Sequence, residues 1–215
     1  MMPGAANLRT AGDTAAMRRY RRGMAVHLTR IYTRTGDEGT SGLGDFSRVA
    51  KTDPRLVAYA DVDEANCAIG VALALGSLPP HLVTVLRQVQ NDLFDVGADL
   101  CTPIVDRAGG QQHPPLRIEE GYVTRLEGWC DQFNAPLPKL DSFILPGGTP
   151  GAALLHTARV VTRRAERSTW ALLAAEPQRT SKVPARYLNR LSDLLFILSR
   201  VANPDGDVLW QPGGS

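Results

Sequence analysis

Asp53-Pro54 and Thr149-Pro150 each place a capping side chain directly before a proline, and that pairing marks the start of a helix. Each is followed by apolar residues at helical spacing, from Pro54 to about Leu75 and from Pro150 to about Ala175. Three further segments read the same way. After Pro79-Pro80, the stretch from His81 to about Leu100 sets Leu82, Val85, Leu86, Val89, Leu93 and Val96 on one side. Arg117 to about Phe133 forms another, and Ala185 to Ala202 the last, stopped by Asn203-Pro204. Short joins and few strand signals predict an all-α chain. The expected fold is a five-helix, ferritin-like up-down bundle behind a short N-terminal extended segment (Val26 to Thr33) and a glycine-rich loop.

At 215 residues the chain suits one domain with a sizeable core, expected over 26–203, followed by a tail at 204–215. Residues 1–25 are small, polar and basic without an apolar signal-peptide core, a composition that favours a disordered extension. Such an extension fits an upstream start, a flexible arm or a targeting segment, the last kept open by Arg18, Arg19, Arg21 and Arg22. A formal charge of +2 gives no general case for nucleic acid. No apolar run approaches the roughly 18 residues that cross a bilayer. Cys67, Cys101 and Cys130 form no CxxC pair, which fits free thiols in a reducing, cytoplasmic setting.

The chemistry-bearing residues fall in five places. Gly36, Gly39, Gly42 and Gly44 alternate with Thr33, Thr35, Thr40 and Ser41, so backbone N–H groups and hydroxyls can converge on an anion. The segment is neither a Walker loop nor a dinucleotide fingerprint, and a plain surface loop fits it as well. On the fourth helix His156, Arg159, Arg163, Glu166 and Arg167 share about a third of the circumference. Arginines at this spacing repel unless something negative lies between them. A bundle should bury this helix, so acidic side chains or a polyphosphate are the candidate partners. Asp63, and a stripe of Asn189, Asp193, Phe196 and Arg200, suggest a polar seam inside the bundle. A purely structural ion-pair network fits the same pattern. Phe143 precedes a Pro-Gly-Gly turn and a capped helix start, which ordinary packing also explains.

These blocks together resemble the ATP:cob(I)alamin adenosyltransferases. The matching stretches are IYTRTGDEGTS, YADVDEANCAIG, FILPGGT, HTARVVTRRAERS and RYLNRLSDLLFILSR, in one order from Ile31 to about Ala202. The resemblance implies a homotrimer with active sites between subunits. It implies that Thr33, Arg34, Thr35, Gly36, Ser41, Gly42 and Lys51 form the nucleotide loop. Arg163, Arg164, Glu166, Arg167 and Asn189 complete the ATP site from the adjacent subunit. Asp63 and Arg159 match an ion pair shaping the corrinoid pocket, with Asp193 also on the cobalamin side. Phe143 matches the aromatic that closes the lower face of the corrin and excludes its axial ligand.

The reaction so implied is attack of cob(I)alamin on C5′ of ATP, with Mg2+ and Arg163 and Lys51 easing the departure of triphosphate. No dedicated protein metal ligand is assigned. Implied partners are an adenosylcobalamin-dependent mutase and a flavin reductant. Glu38 stands where many relatives carry lysine, which removes a positive charge beside the loop. Two rivals remain at this point. A carrier of adenosylcobalamin would need no triphosphate grip, and a kinase on the same bundle would need an acidic base near the γ-phosphate.

Overall fold

The computed structural model describes residues 31–105 and 115–214, which part into two compact units between Asp37 and Glu38. The expected extension and the lead-in before Ile31 lie outside the described residues, and Ile31 to Thr33 form no strand.

Among the described residues the second unit holds a hairpin and five helices: β1 (Thr40–Gly42), β2 (Arg48–Ala50), α1 (Pro54–Leu75), α2 (Pro80–Cys101), α3 (Glu120–Asn134), α4 (Pro150–Ala175) and α5 (Val183–Val201). The cap-proline signals act as expected. Asp53 accepts the Arg55 N–H at the head of α1, and Thr149 accepts the Ala152 N–H at the head of α4. Helix α3 starts three residues later than Arg117. The reason is that Arg117 is drawn off to the end of α2, where its guanidinium donates to the backbone carbonyls of Asp99 and Thr102 and to the Asp99 carboxylate. Three residues of the expected glycine loop form a strand: Thr40, Ser41 and Gly42 pair antiparallel with Ala50, Val49 and Arg48.

Helix α4 is the centre of the bundle, packed against α1 and α5; α1 also meets α2, and α3 meets α5. Small residues make the α1–α4 contact close. Ala58, Ala65 and Ala72 on α1 face Ala158, Thr162, Ala165 and Thr169 on α4, all buried. The two threonine hydroxyls donate back to the carbonyls of Ala158 and Ala165, so no polar hydrogen is stranded in the core. The approach is tightest at the bundle end, where a Cβ on Gly151 would lie 2.6 Å from the Gly76 carbonyl oxygen. Leu188, Leu191, Leu195 and Leu198 of α5 fill the other side of the core.

The polar interior differs from the seam expected on α1, α4 and α5. Asp63, Arg163, Arg167 and Asp193 are exposed in the chain, because these positions flank the helix contacts without entering them. Of the expected stripes His156 and Arg200 are buried, and the other buried charges lie outside them. Asp92 accepts from Arg125 (2.7 Å), the Tyr187 hydroxyl (3.1 Å) and Gln88 (2.9 Å). Asp99 holds Arg117, and Arg55 gathers four acceptors at the α1–α2 end. Each buried charge has a partner that offsets its desolvation.

Candidate active site

The residues expected to grip a nucleotide fall in both units. In the first, the hydroxyls of Thr33 and Thr35 are 2.9 Å apart, and the Asp37 N–H donates to the Arg34 carbonyl at 3.3 Å. Arg34 takes the left-handed conformation at φ 62°, an unusual position for a side-chain-bearing residue, and its guanidinium lies 5.8 Å from the Tyr32 ring centre. Gly36 follows in this turn. In the second unit Ser41 and Gly42 stand on β1. Lys51 directly follows β2, and its N–H donates to the Gly39 carbonyl at 2.9 Å. Arg48 ties the hairpin together by donating to the Thr40 hydroxyl at 2.7 Å. At the tip the Asp45 carboxylate accepts from the Ser47 N–H and hydroxyl, and the hydroxyl bond holds its pKa below the usual carboxylate value.

A second cluster lies where α4 meets α5. Asn189 donates to Glu166 at 3.2 Å and accepts from Arg190 at 2.7 Å; Arg190 in turn pairs with Glu127 at 2.9 Å and lies 3.9 Å from Asp193. The Asp193 carboxyl sits above its ordinary pKa through burial, opposed by Arg190 and Arg163 and aided by Glu166. Arg163 and Arg167 therefore project beside a partly satisfied acidic and amide surface, with their own guanidinium groups exposed. Such groups can take a bidentate anion at little desolvation cost. Arg164 is different. A quarter-turn further round the helix, it reaches α1 and pairs with Glu64 and, at 3.9 Å, with Asp61.

One turn nearer the head of α4, Phe196 is flanked by two α4 residues. The Arg159 guanidinium lies 6.0 Å from its ring centre, and the His156 ring meets it edge-on at 6.2 Å. Burial, then the charge of Arg163, lowers the Arg159 pKa; burial, then Arg159, lowers that of His156. Ser199 has one proton, which the Phe196 carbonyl accepts at 2.7 Å. His156 Nε2 must then donate to Ser199 Oγ at 3.2 Å, so the neutral imidazole keeps its buried Nδ1 lone pair bare.

Phe143 is 79% exposed, so it does not pack in the core. The backbone around it is nonetheless fixed, and by a segment that reads in the sequence as a tail. Trp210 N–H donates to the Phe143 carbonyl at 2.7 Å, Leu145 N–H to Val208 at 2.8 Å, and the Ser142 hydroxyl to Trp210 at 2.8 Å. The Trp210 ring stands 6.1 Å from the Phe143 ring. Arg200 anchors the returning chain. Its side chain is 5% exposed and pairs with Asp207 at 2.8 Å while also donating to the Pro138 carbonyl. Arg200 was visible in the α5 stripe; Asp207 and Trp210 carried no periodic signal, and only the Asn203-Pro204 stop before them hinted at a turn back.

Asp63 lies elsewhere. With Tyr59, Asn66, Leu93, Phe94 and Cys101 it lines an apolar groove of about 440 Å3 between α1 and α2. Phe94, at 70% exposed, stands open on that groove. Asp63 and Arg159 are not paired within the chain. One chain thus assembles the α4–α5 cluster and the Phe143 platform but leaves Asp63 on another face. Among the described residues no group of three or more His, Cys, Asp or Glu side chains could hold a metal ion, and no helix is long and apolar enough to cross a membrane.

The helical bundle thus presents an arginine-bearing α4–α5 face, an exposed aromatic platform and a glycine-rich hairpin. The family model described as cobalamin adenosyltransferase matches residues 31–202. The chain is 71% identical over 191 residues to a corrinoid adenosyltransferase of Mycobacterium tuberculosis, covering 89% of this chain and 97% of the relative. It is 41% identical over 188 residues to that of Bacillus subtilis, covering 85% and 92%. Among solved structures, a variant PduO-type ATP:corrinoid adenosyltransferase from Lactobacillus reuteri, complexed with cobalamin and ATP, superposes with a TM-score of 0.76 at 35% identity, over 85% of this chain and 99% of that one. The chain belongs to the cobalamin adenosyltransferase family.

Proposed function

We propose that this chain transfers the 5′-deoxyadenosyl group of ATP to cob(I)alamin, giving adenosylcobalamin and triphosphate, in a site shared between two copies of itself. Membership of the family makes it a corrinoid adenosyltransferase. What the geometry adds is a division of labour. The observation that carries it is the separation of Asp63, in the α1–α2 groove, from Arg159 and Arg163, on the α4–α5 face. A second copy seated on the groove would cover Phe94 and bring its own Arg159 to Asp63, in keeping with a homotrimer closed by head-to-tail contacts.

In this reading Thr33, Arg34, Thr35, Gly36, Ser41, Gly42 and Lys51 hold ATP from one subunit. Arg163, Arg164, Glu166, Arg167 and Asn189 reach it from the neighbour. Mg2+ enters with the triphosphate. The cobalt–carbon bond forms as the C5′–oxygen bond breaks, and triphosphate leaves with the electron pair; Arg163 and Lys51 stabilise that departing charge. No proton moves, so no general base is needed. Asp63, Arg159 and Asp193 border the corrinoid pocket. Phe143, held rigid by the returning chain, presents an apolar face that excludes an axial ligand from the lower side of the corrin. An adenosylcobalamin-dependent mutase would take the product, a flavin reductant would supply cob(I)alamin, and the setting is cytoplasmic.

Subunit mixing tests the shared site. Asp63→Asn and Arg163→Ala each damage a different face, so each homomer should be strongly impaired at subsaturating ATP. Refolded together at equal ratio, random assembly restores about a quarter of the shared sites if they lie between subunits. Activity that stays at the level of the separate variants would place both residues in one chain's site and sink the reading.

A further inference from the structure

Arg55 is 1% exposed and is the second residue of α1, where the helix dipole disfavours a positive charge. It contributes nothing to the helix start that a neutral residue would not. Its guanidinium instead joins separate parts of the chain. Nη1 donates to the Leu100 carbonyl at the end of α2 (2.6 Å). Nη2 donates to Glu176 (2.7 Å), the Thr180 hydroxyl (2.9 Å) and the Arg179 carbonyl (3.1 Å) in the link between α4 and α5.

The hairpin that carries Ser41, Gly42 and Lys51 meets the bundle at two places, one against the Arg55 main chain at the head of α1 and the other beside its guanidinium at the end of α2. On one side Ala50 accepts the Asp53 N–H at 3.0 Å, and Asp53 in turn accepts the Arg55 N–H at 2.8 Å. On the other, the Gly44 N–H donates to the Cys101 carbonyl at 3.0 Å, one residue beyond Leu100. The seat at Gly44 is so close that a Cβ there would lie 2.1 Å from the Thr102 hydroxyl oxygen. The link from α4 is drawn in as well, since Ile104 N–H donates to the Arg179 carbonyl at 2.9 Å.

We propose that Arg55 is a positioning residue for ATP: it locks the head of α1, the end of α2 and the α4–α5 link into one floor, and so holds the nucleotide hairpin in its binding geometry before ATP arrives. The proposal rests on the nucleotide reading of the hairpin. Without the guanidinium, the two seats of the hairpin move independently and ATP must order them on binding. A packing residue would not need four acceptors on two separate segments, and a buried ion pair contributes little to stability alone. Its use here is to fix one arrangement.

The test is steady-state kinetics of the full chain for Arg55→Met, Arg55→Lys and Lys51→Ala, with hydrogen exchange read at the Gly44 and Lys51 amides. Arg55→Met should raise KM for ATP roughly 5- to 30-fold, the equivalent of ordering one more backbone residue on binding, with kcat and the corrinoid KM unchanged. Both amides should exchange faster, and Arg55→Lys should recover part of the loss. Should Arg55→Met fail to fold, Glu176→Gln cuts the charged arm alone and should give the same KM pattern at smaller scale. A residue that only supports the fold would lower the active fraction, and hence kcat, at unchanged KM; that result overturns the proposal. If Arg55→Met leaves KM for ATP unchanged while Lys51→Ala raises it, the proposal fails and the hairpin reading stands. If neither moves it, the hairpin reading fails and takes the proposal with it.

Discussion

Replacing Asp207 by alanine should release the returning chain from Phe143 while leaving the bundle folded. Arg200 and Asp207 are 5% and 13% exposed, so removing the carboxylate strands a guanidinium in a nearly dry place. Stranding one half of a buried pair costs about 3–5 kcal/mol. Against that stand the three hydrogen bonds that join Ser142, Phe143 and Leu145 to Val208 and Trp210. At about 1 kcal/mol net apiece they contribute roughly 3 kcal/mol, no more than the penalty. Detachment, which lets water reach Arg200, is then the cheaper response. Hydrogen exchange reads it directly: the Leu145 and Trp210 amides should lose protection, while core amides of α4 and α5 keep theirs. In the enzyme assay the corrinoid KM should rise at unchanged KM for ATP, because only the Phe143 platform has loosened. Wild-type protection at Leu145 together with an unchanged corrinoid KM would refute the reasoning.

Three further outcomes are expected. Arg163→Ala should lower kcat/KM for ATP roughly 10- to 150-fold, the loss of one charge-assisted phosphate contact, measured by varying ATP at saturating corrinoid. Phe46 is 95% exposed at φ 68°, a left-handed backbone that costs an aromatic residue about 1–2 kcal/mol. Glycine there gives back about 0.5–1 kcal/mol in chain entropy, so Phe46→Gly should raise Tm by roughly 1–3 °C in a thermal melt. His156 has a depressed pKa from burial and then from Arg159, so the unfolded chain takes up its proton first. Its contribution to stability is therefore whole above about pH 6.5 and is lost as pH falls toward the folded value. His156→Gln should flatten the dependence of Tm on pH between about 7 and 5 relative to the parent chain.

The helices were legible because their starts are written locally. Asp53-Pro54 and Thr149-Pro150 announce α1 and α4 within two residues, and a leucine period carries α5. The motif blocks also announced the family. What the helical wheel could not tell is what each face meets. It put Arg159, Arg163 and Glu166 on one side of α4, but only Arg200 and His156 of the expected stripes are buried, and the other buried charges, Arg55, Asp92 and Asp99, sit among apolar neighbours. The hairpin escaped notice because its strands are three residues long and one contains glycine. The pairing of Leu145 with Val208 escaped notice because two segments some sixty residues apart share no pattern that foretells it. Arg164 shows the same limit, since its reach toward Asp61 and Glu64 depends on which helix packs beside α4.

An anaerobic assay with ATP, Mg2+ and chemically reduced cobalamin, following the corrinoid spectrum and identifying the phosphate product, tests the central claim most directly. The account predicts adenosylcobalamin and triphosphate in equal amounts. Bound ATP with no carbon–cobalt bond formed by folded, assembled protein would contradict it and favour a carrier, and release of ADP would make the chain a kinase.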